Sequence, residues 1–245
     1  MKNKEWFASW FNTPFYHILY QHRDFDEAEK FIDCLMDKLG PLDNSTLLDL
    51  ACGKGRHAYY LAKKGYKVKG VDLSSESIDS AQRDFRLENL SFCVHDMRLD
   101  MHDERFDYVF NFFTSFGYFD TLEDNKKVIE VMSNSLNSGG TLVIDFLNAV
   151  KAVQNIVIEE AKELNNISFE IERKLESKVL VKDIRFKHMN EEYHYQEKVQ
   201  ALRLSDFQSL IKNTDLSLQE IFGDYALNDF DETNSDRLIM VFKKA

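Results

Sequence analysis

Apolar and polar positions follow two rhythms along this chain, and the change from one to the other falls near residue 150. In the first part, a 3.6-residue stripe of Ala28, Phe31, Ile32, Leu35, Met36 and Leu39 predicts a helix from about Asp26 to Leu39, stopped by Gly40-Pro41. The short run TLLDLA (46–51) predicts a strand entering a glycine loop, followed by a helix over about 56–64. KVKGV (67–71) predicts a second strand ending at Asp72, and Ser74 or Ser75 can cap a helix whose apolar side carries Ile78, Ala81 and Phe85. A third strand, 90–95, ends at Asp96, and a fourth covers 106–113. Thr121 to Asp124 resembles a capping box, opening a helix that Gly139-Gly140 would close before a fifth strand at 141–147. Strands alternating with helices of this length imply βαβ crossovers and a parallel sheet covered on both faces.

Beyond 150 the period becomes two. ISFEIERKL, VLVKDIRFKHM and EYHYQEKVQAL, within 167–202, predict antiparallel strands with one solvated face. A helix capped by Ser205, with Phe207, Leu210 and Ile211 inward, and two strands near 216–222 and 237–243 close the chain. The expected organisation is one domain over 1–245: an N-terminal helical segment (1–45), an α/β core (46–148), an antiparallel insertion (149–203) and a closing helix and strands (204–245). The fold class is therefore α/β, a Rossmann-like, seven-stranded, mostly parallel sheet with helices on both faces and an antiparallel β insertion.

Composition narrows the function. With 44% apolar residues, 20 of them Phe, the chain has ample material for a core. Its 31 basic and 42 acidic residues leave a net charge of −11, which argues against affinity built on phosphate neutralisation, so no nucleic-acid partner is expected. No run of about 20 apolar residues is present, and MKNKEWFASWF lacks a signal-peptide h-region, so neither a membrane partner nor export is expected. Three cysteines, Cys34, Cys52 and Cys93, without a Cys/His cluster point to a reduced cytoplasmic chain with no metal site. The acidic stretch 224–236 lacks EF-hand spacing and reads as a solvated loop.

The chemistry sits in DLACGKGRH (49–57), at a strand-to-helix turn. Gly53 and Gly55 permit close backbone approach, and the helix N-terminus beyond them offers unpaired N–H groups to a ligand. Asp72, 19 residues after Gly53 at a strand end, is placed to accept from both hydroxyls of a ribose. Nicotinamide and adenosyl cofactors share this logic, and 53–58 also fits the permissive G-x-G-x-x-A form. Three features separate them: Asp49 inside the first strand, able to support the loop or meet an ammonium; about 45 residues with a helix before that strand; and Asp96, able to accept from an adenine amino group.

In order, DLACGKGRH (49–57), VKGVDLS (68–74), HDM (95–97), FDYVFNFFTSFGYF (106–119) and GGTLVIDFLN (139–148) resemble the class I S-adenosylmethionine-dependent methyltransferases, with the specific part of the likeness in 46–148. The resemblance implies S-adenosyl-L-methionine as cofactor. It places Ala51, Gly53 and Gly55 along the methionyl part with Asp49 close by, Asp72 on the ribose and Leu73 on the adenine. Asp96 falls on the adenine amino group with Met97 nearby, and Phe112 beside the sulfonium. The segment 15–23 is similar to the Y-xxx-Y-xx-R segment of bacterial small-molecule methyltransferases, including amino-sugar N,N-dimethyltransferases, which implies that Tyr16 and Tyr20 cover the cofactor and Arg23 meets its carboxylate. Cys52 departs from the commonest glycine at that loop position.

Methyl transfer from a sulfonium is an in-line displacement, so alignment and exclusion of water are the main tasks. Thr114 to Phe119 follow the fourth strand, at the end where open α/β sheets bind ligands, which makes Ser115 and Tyr118 candidates for a small-molecule acceptor, with Asn148 after the fifth strand as a third. No general base declares itself; Tyr118, His188 and His194 are the candidates, the two histidines on an insertion expected to form the acceptor lid. Cys52 reads as a small packed residue and His57 as an ordinary first-turn position. The expected activity is N- or O-methylation of a small polar molecule by a monomer or homodimer. The alternatives are an NAD(P)-dependent oxidoreductase, opposed by Asp49 and the absence of a Tyr-x-x-x-Lys pair, and a non-catalytic adenosyl-ligand-binding protein.

Overall fold

The computed structural model describes residues 6–21, 25–102 and 104–245, apart from the side chains of Ala8, Phe25 and Asp26. Three helices come first: α1 (Trp6–Trp10), α2 (Pro14–Leu19) and α3 (Phe25–Leu39). The alternating core follows as β1 (Thr46–Leu50), α4 (Arg56–Lys63), β2 (Lys67–Asp72), α5 (Ser75–Asp84), β3 (Leu90–Val94), β4 (Phe106–Asn111), α6 (Leu122–Asn134) and β5 (Leu136–Leu147). Then come α7 (Ala149–Gln154) and the strands β6 (Glu159–Leu164), β7 (Ile167–Glu176), β8 (Val179–His188) and β9 (Glu191–Gln200). The last elements are α8 (Leu204–Leu210), β10 (Leu216–Phe222) and β11 (Arg237–Lys244).

Seven strands form one sheet in the order β10-β11-β5-β4-β1-β2-β3, parallel except where β11 runs antiparallel to both its neighbours. The strand order reverses between β1 and β4, which opens a crevice at their carboxyl ends. Each strand alternates its apolar residues between two cores. Leu47, Phe110 and Val143 meet α3, α4 and α5 through Phe31, Leu35, Leu61 and Ile78 on one face. Leu48, Val109 and Ile144 meet α6 and α8 through Val128, Met132 and Phe207 on the other. The expected Rossmann-like α/β class is the observed one.

A second, antiparallel sheet, β6-β7-β8-β9, stands apart from the first. Its inner face buries Phe169, Ile171, Ile184 and Phe186 against Trp10 and Leu19 of the first two helices. Its outer face carries Glu172, Arg185 and His194, as the period-two pattern predicts.

Four sequence expectations change. The Gly139-Gly140 pair does not end a helix: α6 stops at Asn134, and the glycines lie inside β5 where its pairing with β4 shifts register. Gly139 has φ +70°, and a Cβ on Gly140 would press on Asp107 O, so both serve that irregularity. The cap of α8 is Arg203, not Ser205; the Arg203 N–H donates to the Asp206 carboxylate at 2.8 Å. The fourth strand of the second sheet, EEAKEL (159–164), pairs only at an edge and carries no apolar face to betray it. The fourth core strand ends at Asn111, so Phe112 and Phe113 already belong to the loop beyond it.

Candidate active site

The loop from β1 to α4 departs from ordinary backbone three times, with φ of +65° at Ala51, +56° at Gly53 and +80° at Gly55. The two glycines do different work. A Cβ on Gly53 would meet nothing within 4 Å, so its bare backbone faces open space. A Cβ on Gly55 would lie 2.5 Å from the Phe92 ring and 3.1 Å from Ala81, so Gly55 lets α4 pack closely on the sheet. Gly55 is buried and does not line the cavity, against its expected place along a methionyl group. Gly55→Ala is expected to cost about 2–3 kcal/mol of stability through overpacking and left-handed strain, read as a lower urea midpoint at unchanged slope. An unchanged midpoint would contradict this packing role.

Asp72, at the end of β2, ties this loop to the next. Its Oδ2 accepts the Gly53 N–H at 2.8 Å and its Oδ1 accepts the Ser74 N–H at 2.8 Å. Burial pushes its pKa up, and these N–H bonds oppose the shift. Ser74 caps α5 by accepting the Ser77 N–H, and donates to Asn12 Oδ1 at 2.7 Å, which fastens the N-terminal segment across the crevice. Asp96 forms a close pair with Arg98, whose NH2 group lies 2.6 Å from Oδ2. Burial raises the Asp96 carboxyl, but the Arg98 bonds more than offset it and hold the group below its usual range.

Asp49 lies beneath the glycine loop, 1% exposed, and its Oδ2 has no hydrogen-bond partner. Burial first, then the nearby Asp72 charge, push its pKa up to about 7, against the Ala58 N–H and Arg56. A folded pKa raised above the unfolded value contributes stability that is present below about pH 4 and lost as pH rises through about 7. Asp49→Asn is therefore expected to raise the melting temperature of the ligand-free protein at pH 8 relative to its effect at pH 5. Equal changes at both pH values would show that Asp49 does not titrate there.

Gly53, Asp72, Ser74 and Asp96 border one cavity of about 430 Å³ at the carboxyl ends of β1, β2, β3 and β4. Of the residues singled out from the sequence, it gathers Tyr16, Tyr20, Ala51, Gly53, Asp72, Leu73, Asp96, Met97, Phe112, Ser115 and Tyr118. Phe112 is 3% exposed and stacks on Phe110 at 5.0 Å, so it is a core ring with an edge on the cavity, while Phe110 is wholly core. Arg23 lies outside the described residues.

Besides Gly55 and Asp49, three expected residues do not line the cavity. The Asn148 side chain accepts the Val150 N–H to cap α7 and donates to Glu232 O and Ser235 O. His194 sits on the outer face of the second sheet, 2.7 Å from Asp183. His188 packs edge-on to Phe15 at 5.4 Å. Among the described residues, nothing from the second sheet lines the cavity, because α1 and α2 intervene. Residues of α1 and α2 line the cavity, and the second sheet packs against those helices.

The structure adds residues that the sequence reading left unassigned. Phe7 and His17 come from α1 and α2, and Phe11 and Asn12 from the turn between them; Arg56 and His57 come from the first turn of α4. His57 stacks on Phe113 at 4.9 Å, and the Arg56 guanidinium lies over the same ring at 4.5 Å. The aromatic density of 6–20 was the available signal; the two basic residues look like ordinary first-turn positions until Phe113 folds onto them. Cys52 is buried, and burial raises its thiol well above the ordinary value, which suits a packed residue and not a nucleophile. Among the described residues, no group of three or more His, Cys, Asp or Glu could hold a metal ion, and no helix is long and apolar enough to cross a membrane.

A doubly wound sheet with a glycine loop, a strand-end carboxylate and a covered crevice is an architecture this chain shares with S-adenosylmethionine-dependent methyltransferases. The chain belongs to the methyltransferase domain family, whose profile matches residues 41–222. S-adenosyl-L-methionine is the cofactor of this class, and the nicotinamide reading is not favoured. The chain is 30% identical over 132 residues to dTDP-3-amino-3,4,6-trideoxy-alpha-D-glucopyranose N,N-dimethyltransferase of Streptomyces venezuelae, covering 53% of this chain and 54% of that one. The chain spans about half the length, or less, of the curated relatives it matches. In fold it is similar to a S-adenosylmethionine-dependent methyltransferase from Clostridium acetobutylicum ATCC 824, with TM-score 0.79, 20% identity and coverage of 94% and 95% of the two chains. It is also similar to CalS10, an amino pentose methyltransferase from Micromonospora echinaspora solved with S-adenosylmethionine bound, with TM-score 0.72, 17% identity and coverage of 95% and 98%.

Proposed function

We propose that this protein transfers a methyl group from S-adenosylmethionine to a small polar acceptor held in the same cavity. The observation that carries the reading is the mixed lining of one cavity. Its lining joins the carboxylates Asp72 and Asp96 and the bare backbone of Gly53 to the rings of Phe11, Phe112, Phe113, Tyr118 and Phe119. The residues fit the cofactor: open space at Gly53, acceptor capacity left on Asp72, and an unpartnered buried oxygen on Asp49. When bound, the cofactor supplies an electrophilic methyl group on a sulfonium.

In this reading Asp72 accepts from the ribose hydroxyls, Asp96 from the adenine amino group, and Leu73 and Met97 pack on the adenine. Ala51 and Gly53 border the methionyl portion, Asp49 supports the loop from below, and Tyr16 and Tyr20 form the cover. Ser115 and Tyr118 border the acceptor. Tyr118 is the one of the three candidate bases that lines the cavity, and its hydroxyl oxygen is the group we assign to accept a hydrogen bond from the acceptor and orient it. The amino-sugar N,N-dimethyltransferase named above supports an amine acceptor and N-methylation. A cavity of this size, covered by α1 and α2, favours a small molecule over a polymer.

The test is calorimetric titration with S-adenosylhomocysteine, and separately with NADH and NADPH, followed by transfer of label from methyl-tritiated S-adenosylmethionine to a panel of small amines and hydroxy compounds. Micromolar binding of S-adenosylhomocysteine alone, with label on an amine, is the expected result. Binding of a nicotinamide cofactor alone would overturn it, and binding without transfer to any acceptor would favour a non-catalytic adenosyl-ligand protein.

A further inference from the structure

The chain leaves β4 in a shape that costs energy. Phe113 and Thr114 have φ of +56° and +60°, two consecutive non-glycine residues in the left-handed region, one of them β-branched. Such backbone persists only where its surroundings over-determine it. Here they do. Asp145 on β5, fully buried, accepts the Phe113 N–H on its carboxylate at 2.8 Å and the Thr114 N–H on its carbonyl at 2.9 Å. Arg237, opening β11, donates Nε to Asp145 Oδ1 at 2.7 Å and a terminal N–H to Thr114 Oγ1 at 3.0 Å. The Tyr225 hydroxyl donates to Asp145 Oδ2 at 3.2 Å, and its ring packs on Phe113 at 5.3 Å.

The far end of the same loop is held from the second sheet. Gln200, ending β9, donates its N–H to Gly117 O at 2.8 Å and its side-chain amide to Phe119 O at 2.6 Å. Phe113, Ser115 and Tyr118 of this loop line the cavity.

A buried ion pair is a poor source of stability, because desolvating two charges offsets most of their attraction, and an apolar pair of similar volume often does as well. What an apolar pair cannot do is accept the Phe113 N–H and hold the Thr114 hydroxyl in a strained turn. We infer that Asp145 and Arg237 are positioning residues for methyl transfer: they lie outside the cavity and set the backbone that presents Phe113, Ser115 and Tyr118 to the donor–acceptor junction. This rests on the methyltransferase reading given above.

The experiment uses the full chain and two readouts, peptide-resolved hydrogen exchange without ligand and calorimetry with S-adenosylhomocysteine as the probe. Arg237→Met is expected to speed exchange over 112–119 at least tenfold while β1 and β2 keep wild-type rates, and to weaken probe binding at least fivefold. Arg237→Lys, which keeps a cation opposite Asp145, is expected to restore most of both. If Arg237→Met does not fold, Thr114→Val carries the test. It removes only the hydroxyl that Arg237 holds, and should speed loop exchange several-fold at unchanged melting temperature. Unchanged loop exchange, or equal acceleration in every strand, would overturn the inference and leave the pair a general stabiliser. A wild-type protein that does not bind the probe would overturn the cofactor reading instead, and the ligand-free exchange would still report whether the loop is held.

Discussion

Asp72→Ala is expected to weaken S-adenosylhomocysteine binding by at least a hundredfold, about 3 kcal/mol or more. The carboxylate stands at two jobs at once. If it accepts from the ribose, its loss leaves those hydroxyls unpaired in a site closed to water, a cost of about 1–3 kcal/mol. It also removes the acceptor for the Gly53 and Ser74 N–H groups, which lie in the two loops that border the cofactor end of the cavity. The second effect adds to the first because both loops must be reordered on binding. Asp72→Asn retains one good acceptor oxygen and is expected to fall between wild type and alanine. Calorimetry of folded variants, checked by circular dichroism, decides it. An affinity within threefold of wild type for the alanine variant would remove Asp72 from the ribose and reduce it to a turn-forming residue.

The second large effect is expected from the antiparallel sheet. Replacing residues 157–200 with a short loop should reduce cofactor binding at least tenfold as well as abolish transfer. The period-two pattern alone predicts a lid over the acceptor whose loss spares the cofactor. The structure predicts otherwise, because the sheet holds the helices that do the covering. Trp10 is fully buried, lies 4.4 Å from the Tyr195 ring, and donates its indole N–H to Glu197 at 2.7 Å. Tyr20 donates to the same carboxylate, and Lys182 donates to the Tyr20 hydroxyl. Removing the sheet exposes Trp10 and Leu19, each a loss of about 1.5–3 kcal/mol of apolar burial, and frees the segment that carries Tyr16 and Tyr20. Glu197→Ala is the milder version, with the same direction and an intact sheet. Probe binding unchanged in both variants would show that α1 and α2 hold their place without the sheet, and the lid would then act on the acceptor alone.

How far the sequence reaches depends on the range of the interaction that creates each feature. Helices α3 to α6 and the strands of the parallel sheet were legible because burial on one or two faces imposes a period on neighbouring residues, and caps such as Ser74 and Thr121 act within three positions. The β6 strand was not, since an edge strand with a solvated outer face needs backbone pairing and no apolar pattern. The glycine loop shows the same division inside one motif. Two glycines at this spacing read alike, yet Gly53 faces open space and Gly55 faces Phe92, 37 positions later.

Local order along the chain therefore determined the α/β class, the position of the glycine loop, the carboxylates at the ends of β2 and β3, and the resemblance that names the cofactor. Only the tertiary structure decided which side chains share the cavity. It brought in Asn12, Arg56 and His57, left out Asn148, His188 and His194, and set α1 and α2 between the cavity and the second sheet. It alone showed that Asp145 and Arg237, 92 positions apart, meet at 2.7 Å to hold the strained turn after β4. The physical reason is common to all of these. Periodicity and capping are set by neighbours a few residues away, whereas a site is set by hydrogen bonds and ring contacts between segments that only the closed sheet brings within reach.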